Sequence, residues 1–194
     1  MNTAPIERHP LQPFLPSNAR LLMLGSFPPP KKRWCFDFFY PNRSNQMWNI
    51  FGLLFYGDTE RLIDAEHKRF RLEDIKALLE ERGIAIYDTA CAVRRLSGNA
   101  SDKDLEIVEK TDIPALLSKI PHCRDIVCTG QKSFSVLTDD YGVPVPKMGA
   151  HNDFILASKE MRLWRMPSSS RAYPMRLEEK AAYYHNMMKT IGII

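Results

Sequence analysis

The sequence lacks several patterns that would assign it to a class of protein directly. No run of about 18 apolar residues occurs, so we expect no membrane-spanning helix. The first ten residues are polar and contain prolines, without the basic segment and apolar run of a secretory signal. We therefore expect a cytoplasmic protein. No GxGxxG or GxxxxGK[ST] loop follows any predicted strand, which argues against the common nucleotide-binding folds.

Cysteine is also scarce and shows no ligand pattern. The chain contains four cysteines, which form no CxxC pair and have no histidine at zinc-ligand spacing beside them. We interpret them as buried reduced thiols, and we predict neither a metal, an iron–sulfur cluster nor another cofactor. They are Cys35, Cys91, Cys123 and Cys128.

The composition is that of a soluble globular protein. Apolar residues make up 44% of the chain, aromatic residues 10% and charged residues 26%. A length of 194 residues suits a single domain over residues 1–194. The formal net charge of +4 suits a polyanionic partner such as nucleic acid, although many proteins without such a partner are equally basic.

Short apolar runs alternate with segments of helical periodicity. Such alternation indicates a mostly parallel sheet covered on both faces, and we predict an α/β fold, a three-layer αβα sandwich with a central sheet of about four strands. The predicted strands are 19–24, 84–87, 125–129 and 161–165, with a further short strand suggested at 154–156. The predicted helices are 45–56, with Ser44 as its N-cap, and 72–82, 113–120, 132–137 and 177–190.

Ligands of parallel α/β sheets bind at the carboxyl ends of the strands, where the loops gather. Three loops with unusual residues follow predicted strands here: 25–45, 88–102 and 166–174. We therefore expect the functional site to be built from these loops.

The first loop combines a glycine at a strand end, prolines, an aromatic run and amides. Rigid backbone amides after Gly25 can hydrogen-bond a planar base or a phosphate. Residues 38–40 offer aromatic faces for stacking, and Asn45 can orient a water or donate to a carbonyl. The alternative is that the aromatic side chains are core and Asn45 caps a helix. Asp37 and Asp88 are further candidates for water activation, with an ordinary cap or salt bridge as the alternative.

The other two loops carry groups suited to phosphates. Arg94 and Arg95 follow the strand that ends near Asp88, and they contact either phosphates or a surface carboxylate. The segment Met-Pro-Ser-Ser-Ser-Arg at 166–171 supplies three hydroxyls and a guanidinium, or it is an ordinary serine-rich turn.

Three ordered motifs together resemble those of the uracil-DNA glycosylase superfamily. They are GSFPPP at 25–30, DFFYPNRSNQMW at 37–48 and LWRMPSSSRAY at 163–173, and the resemblance spans nearly the whole chain. The sequence is most similar to the hypoxanthine-DNA (deoxyinosine) glycosylase branch, with the mismatch-specific uracil/thymine glycosylases next. Those proteins carry an aromatic pair, a spacer and then Asn-Arg-Phe-Trp, where this chain has Phe39, Tyr40 and then residues 45–48. The stretch from Asp88 to Gly98 and Asp102 also resembles that branch.

The resemblance implies a monomeric, monofunctional DNA-repair glycosylase that needs no obligate protein partner and hydrolyses the N-glycosidic bond of a flipped base. Tyr40 would stack on the base, and Asn45 would be a catalytic or base-contacting amide. Backbone amides of the pocket and contacts to the DNA backbone would come from two further groups of residues. The pocket group is Gly25, Ser26 and Phe27, and the DNA-contacting group is Arg94, Lys132, Pro167, Ser168, Ser169, Ser170 and Arg171.

Two departures from the superfamily pattern leave other functions open. Phe27 stands where many members place an Asp or Asn, and Met166 stands where the most active uracil enzymes have a His. A nucleic-acid-binding relative with weak catalysis, or a nucleotide-handling α/β enzyme of unrelated mechanism, are the alternatives.

Overall fold

The computed structural model describes residues 4–96 and 104–194, and within them it contains ten β-strands and five α-helices. The predicted motif residues Gly98 and Asp102 lie outside the described residues. In chain order the elements are β1 (Ile6–Arg8), β2 (Leu21–Gly25), α1 (Met47–Tyr56), β3 (Ile63–Asp64), β4 (Arg69–Phe70), α2 (Leu72–Arg82), β5 (Ile84–Asp88), β6 (Ala90–Arg95), β7 (Leu105–Lys110), α3 (Ile113–Lys119), β8 (Asp125–Cys128), α4 (Gln131–Tyr141), β9 (His151–Leu156), β10 (Lys159–Arg165) and α5 (Leu177–Ile191).

The central sheet has the strand order β5-β2-β8-β10-β9. The first four strands are parallel, and β9 pairs antiparallel with β10. Residues 21–24 of β2 are fully buried, as expected for a central strand that is covered on both faces. The predicted α/β class, with a mostly parallel sheet flanked by helices, is confirmed. The sheet has five strands because 151–156 forms a full edge strand, of which the sequence suggested only the last three residues.

The start of α1 differs from the prediction. The helix begins at Met47, and the Met47 N–H donates to the Asn45 side-chain oxygen at 2.9 Å. Asn45 therefore satisfies one of the unpaired N–H groups of the first turn. Ser44, predicted as the cap, instead accepts the Arg171 N–H through its backbone carbonyl.

The segment 88–102, predicted as a loop, contains strand β6. It belongs to a second, antiparallel sheet with the order β1-β6-β7. The partner strands come from the N-terminal segment and from residues 105–110. A shift of register at Ala92 interrupts the regular alternation of side chains that would have indicated a strand.

The parallel strands place their carboxyl ends at one edge of the central sheet. Gly25 of β2 is paired with Asp88 of β5, Leu24 with Cys128 of β8, and Arg165 of β10 with Cys128. The segments that leave these four strands therefore start side by side. Within residues 4–96 and 104–194, no helix is long and apolar enough to cross a bilayer.

Candidate active site

A cavity of about 680 Å³ opens at this edge of the sheet. Its walls come from the predicted loops after β2 and β10, from Asp88 at the end of β5, and from the segment after β8, which was not among the predicted loops. Several predicted site residues lie together in its lining. These are Gly25, Ser26, Phe27, Tyr40, Asn45, Lys132, Ser168, Ser169 and Ser170.

Tyr40 forms one wall of the cavity. Its hydroxyl lies 3.0 Å from the hydroxyl of Thr129, and its ring meets Trp48 edge-on at 5.9 Å between centroids. Burial raises the pKa of Tyr40 well above its ordinary value, so the phenol stays neutral. The backbone at Tyr40 has a φ of 50°, a left-handed conformation that is uncommon outside glycine. The ring is therefore held in place by its backbone, by Trp48 and by Thr129.

Asn45 faces the same cavity with a fixed amide. Only the oxygen of the amide can accept the Met47 N–H, so that hydrogen bond sets the orientation of the group. Within the described residues it is the only hydrogen bond of this side chain, and it leaves the amide nitrogen with two donors. The helix-capping alternative is thus correct for the oxygen, and the nitrogen is free to contact a ligand.

The aromatic run before Tyr40 divides between core and cavity. Phe38 is buried in the main core and packs edge-on against Phe14 and Phe39. Phe39 is also buried, but it reaches the cavity lining. Tyr40, which is half-buried, is therefore the member of the run that offers an accessible ring face.

The segment after β2 brings backbone donors to the cavity. The carbonyls of Gly25 and Ser26 accept the N–H groups of Thr89 and Ala90 at 2.9 and 3.2 Å, which fixes the turn. In the described part of the chain, the N–H groups of Ser26 and Phe27 donate to no protein acceptor. Both residues line the cavity. The Phe27 ring itself packs with Ala90 and other residues of a small second core.

Asp88 and His9 form a buried pair in the wall beside Gly25. The His9 Nε2 and Asp88 Oδ2 atoms are 2.9 Å apart, and the side chains are only 2% and 10% exposed. The His9 ring also packs against Phe27, Phe39 and Tyr87, at centroid distances of 5.2, 6.2 and 4.6 Å. Asp88 lines the cavity, as its position at a strand end suggested.

His9 was missed by the sequence analysis. It lies in a proline-containing segment outside every motif, and its partner is 79 residues away along the chain. No local pattern carries that contact. Only the packing of the N-terminal segment on β5 and β6 creates it, through the pairing of β1 with β6 and a bridge between Phe14 and Ile86.

The serine loop, residues 167–171, is clamped against the start of α1. Gln46 N–H donates to the Ser169 carbonyl at 2.8 Å, and a β-bridge joins Asn45 to Ser170. The buried ammonium of Lys180 donates to Gln46 Oε1 at 2.9 Å and to the Ser170 carbonyl at 2.7 Å. Burial lowers the pKa of Lys180. The lysine, a second residue that sequence reasoning missed, thus holds two walls of the cavity together.

Two members of the predicted DNA-contacting group form the ends of the serine loop and lie outside the cavity lining. Pro167 is buried, and its carbonyl accepts the Tyr184 hydroxyl at 3.1 Å. Arg171 is exposed. Pro167 therefore helps to position the loop. Arg171, at the other end of the loop, is in solvent.

The first turn of α4 forms the opposite rim. Its N-cap, Gly130, provides no side-chain cap, and Gly130, Gln131 and Lys132 line the cavity. A helix N-terminus favours an anion, and the lysine adds a full positive charge. This rim is suited to a phosphate.

Two predicted site residues lie elsewhere. Arg94 is paired with Glu106 in the second sheet, at 3.6 Å, and does not reach the cavity. The neighbouring Arg95 donates to Glu7 at 3.0 Å, so it too is occupied within the protein. Asp37 forms an ion pair with Lys31 and is 75% exposed.

Asp37 lies in a separate depression that we call the surface groove. Its walls come from the β3–β4 pair, the start of α2 and the loop before Asp37. Its lining residues are Cys35, Phe36, Asp37, Asp64, Arg69, Phe70, Arg71, Leu72, Glu73 and Asp74.

The four cysteines form no disulfide. Cys123 and Cys128 are buried, and burial raises the pKa of each thiol to about 12. Cys35 and Cys91 are only half-buried. The predicted burial is therefore found for two of the four thiols.

Among known proteins, only solved structures are found to match the chain. No protein-family model matches the chain, and no curated protein does. A solved solution structure of a candidate uracil DNA glycosylase from Methanosarcina acetivorans is similar to it, with a TM-score of 0.64 and 21% sequence identity, over 96% of this chain and 99% of that one. At this identity the likeness establishes a shared fold, in which the two chains correspond over almost their full lengths.

Proposed function

We propose that the chain is a DNA glycosylase of the uracil-DNA glycosylase superfamily that hydrolyses the N-glycosidic bond of a flipped uracil or hypoxanthine. The observation that carries the proposal is the cavity that both Tyr40 and Asn45 line, at the carboxyl edge of a parallel sheet. The shared fold with a candidate uracil DNA glycosylase and the three sequence motifs support it.

The cavity has the groups that base excision requires. A base must leave the DNA stack to reach an enzyme, and an aromatic face replaces part of the stacking that it loses. Tyr40 would provide that face. As the glycosidic bond breaks, negative charge develops on the base and positive charge on the sugar. Fixed donors aimed at the base lower the barrier, and the Asn45 amide and the N–H groups of Ser26 and Phe27 are such donors.

The rim of the cavity would hold the DNA backbone. The open N-terminus of α4, Lys132 and the hydroxyls of Ser168 and Ser170 suit phosphate oxygens. Exposed basic side chains extend this surface, and one of them, Arg33, itself lines the cavity. The others are Lys31, Lys32, Arg43 and Arg171.

The proposal is tested by incubating the protein with labelled duplexes that contain a single uracil, hypoxanthine, xanthine or G·T mismatch. We expect release of a free base and an intact abasic strand that breaks only on later alkaline treatment. Strand cleavage without that treatment would contradict the monofunctional part of the proposal. Binding to the duplexes without release of any base would instead identify a nucleic-acid-binding protein with this fold.

A further inference from the structure

We infer that Asp88 is the group that activates the attacking water and that His9 is the positioning residue that orients its carboxylate. This inference rests on the proposed function, because it assigns the nucleophile's partner in that same cavity. The motif around Asn45 supplies no general base that could take a proton from the attacking water. A carboxylate from the neighbouring strand fills that role.

The carboxylate of Asp88 has one engaged and one open oxygen. Its Oδ2 pairs with His9, and within the described residues this is the side chain's only hydrogen bond. The side chain is 10% exposed and lines the cavity, so the exposed part of the carboxylate is on the cavity side. A buried carboxylate without a second partner is costly unless water or ligand hydrogen-bonds it.

Gly25 makes room for this carboxylate. A Cβ atom at position 25 would lie 2.3 Å from Asp88 Oδ1, far inside the contact distance. The open oxygen therefore occupies the space that a side chain on β2 would take. It lies directly beside the backbone that leads to the N–H groups of Ser26 and Phe27, so carboxylate and donors share one side of the cavity.

His9 is held more firmly than a surface histidine. Its Nδ1 lies 3.1 Å from the Leu11 N–H and 3.0 Å from the Leu11 carbonyl, while three aromatic rings surround the imidazole. When Nδ1 accepts the Leu11 N–H, the ring's proton is on Nε2 and is donated to Asp88 Oδ2. The imidazole then fixes the carboxylate's rotation and leaves Oδ1 directed to the cavity.

The hydrolysis step requires only the nucleotide, one water molecule, Asp88 and proton exchange with solvent. The oxygen of a water molecule forms a bond to C1′ of the nucleotide while the bond from C1′ to the base nitrogen breaks. The electron pair of that bond stays on the base nitrogen, and the water's proton passes to Asp88 Oδ1. The carboxyl group then loses this proton to solvent, and the departing base takes up a proton from solvent.

The test is single-turnover excision from the best of the four duplexes, with duplex affinity and thermal unfolding measured on the same preparations. Asp88→Asn is expected to slow excision by about 100-fold or more, since general bases typically contribute 10²–10⁴. His9→Phe keeps the ring packing but removes the donor, and we expect a loss of about 10-fold or more. His9→Gln retains an N–H donor and should recover part of that loss. Duplex affinity should change by less than about threefold.

A double variant separates positioning from structural support. If His9 acts through Asp88, His9→Phe should slow excision much less in the Asp88→Asn protein than in wild type. The surface pair Asp64–His67 has the same separation of 2.9 Å, and Asp64→Asn and His67→Phe are matched controls that should excise normally. Excision by Asp88→Asn within threefold of wild type, or an undiminished effect of His9→Phe in the double variant, would overturn the inference and leave the proposed function standing. If wild type releases no base, the proposed function fails, and the inference with it.

Discussion

The cavity and the surface groove each hold an aspartate paired with a histidine, and the two pairs differ in their surroundings. In both, the histidine nitrogen and carboxylate oxygen are 2.9 Å apart. In the cavity the two side chains are 2% and 10% exposed, whereas His67 and Asp64 of the groove are 58% and 19% exposed. Both oxygens of Asp64 are occupied, by His67 and Arg69, while Asp88 keeps one open.

The difference shows that a carboxylate–histidine pair does not by itself make a reactive site. In the groove, solvent screens the charges and basic neighbours neutralise them, so the pair contributes little beyond local structure. In the cavity, low exposure and an open oxygen leave the carboxylate able to act on a bound molecule. Substitutions in the two regions should therefore have very different effects on excision.

The largest difference is expected between Asn45 and Asp37, the two residues predicted as catalytic. Asn45→Ala removes the only side-chain amide donor among the proposed donors, and we expect excision to fall on the order of 100- to 1,000-fold. Asp37→Ala should leave excision within twofold of wild type, because Asp37 lies in the groove, paired with Lys31. Single-turnover rates on one uracil or hypoxanthine duplex measure both.

Asn45 also caps α1, so the loss of a cap must be separated from the loss of a donor. Asn45→Asp keeps an oxygen for the Met47 N–H and removes the amide nitrogen. It should lose excision like Asn45→Ala while keeping the unfolding temperature, whereas the alanine variant should be destabilised by about 1 kcal/mol. Comparable losses in excision and in duplex binding for both variants would contradict a catalytic role for the amide.

Gly25→Ala tests whether the geometry of Asp88 matters, without changing the carboxylate itself. The new methyl group would meet Asp88 Oδ1 at 2.3 Å and displace it. We expect excision to fall by about tenfold or more, because small misplacements of catalytic groups are costly. Gly142→Ala is the matched control: nothing lies within 4 Å of its Cβ, and its φ of 64° predicts a cost in stability alone. Wild-type excision by Gly25→Ala would show that the site tolerates this shift.

A smaller effect is expected at the rim, on affinity instead of rate. Lys132→Ala removes one charge from the cavity edge, and the slope of log affinity against log salt concentration should fall by about one. Arg94→Ala is the control, since Arg94 is paired with Glu106 away from the cavity. Fluorescence titrations of a duplex at several salt concentrations measure the slopes. Equal slopes for Lys132→Ala and wild type would remove Lys132 from the DNA interface.

The sequence was sufficient for the four parallel strands of the central sheet and for two of the loops that line the cavity. Strands such as β2 and β8 are continuous apolar runs, and helices such as α2 end at glycine, so local patterns carried the fold class. The rule that ligands bind at the carboxyl ends of parallel strands then selected the loops after β2 and β10, which line the cavity, but not the segment after β8, which also lines it. Tyr40 and Asn45 were brought to one cavity as their spacing and motif suggested.

The parts that could not be predicted depend on contacts between distant segments. The second sheet joins β1 to β6 across more than 80 residues, and it delivers His9 to Asp88. In the sequence, Lys180 is one of several charged residues of an amphipathic helix and would be expected to be exposed. It is buried, and its ammonium donates hydrogen bonds to Gln46 Oε1 and to the Ser170 carbonyl. Asp37 is the first residue of the motif at 37–48, yet it lines the groove and not the cavity. Side-chain direction within an irregular loop has no periodic signal.

The smallest expected effect is on stability at acid pH, and it concerns Asp64 in the groove. The hydrogen bond from His67, followed by those from the His67 backbone and Arg69, lowers the pKa of Asp64 to about 2. A lowered carboxylate pKa means that the native state favours the ionised form. Asp64 therefore contributes stability that is complete above its unfolded pKa of about 4 and is lost as the pH falls toward 2. The stability difference between wild type and Asp64→Asn should be small at neutral pH, because the site is exposed, and should vanish near pH 2.

Thermal unfolding of both proteins from pH 2 to 7 measures this difference, with excision at neutral pH expected to be unchanged. A difference that grows as the pH is lowered would reverse the assigned direction, and a loss of excision would mean that the groove takes part in the site.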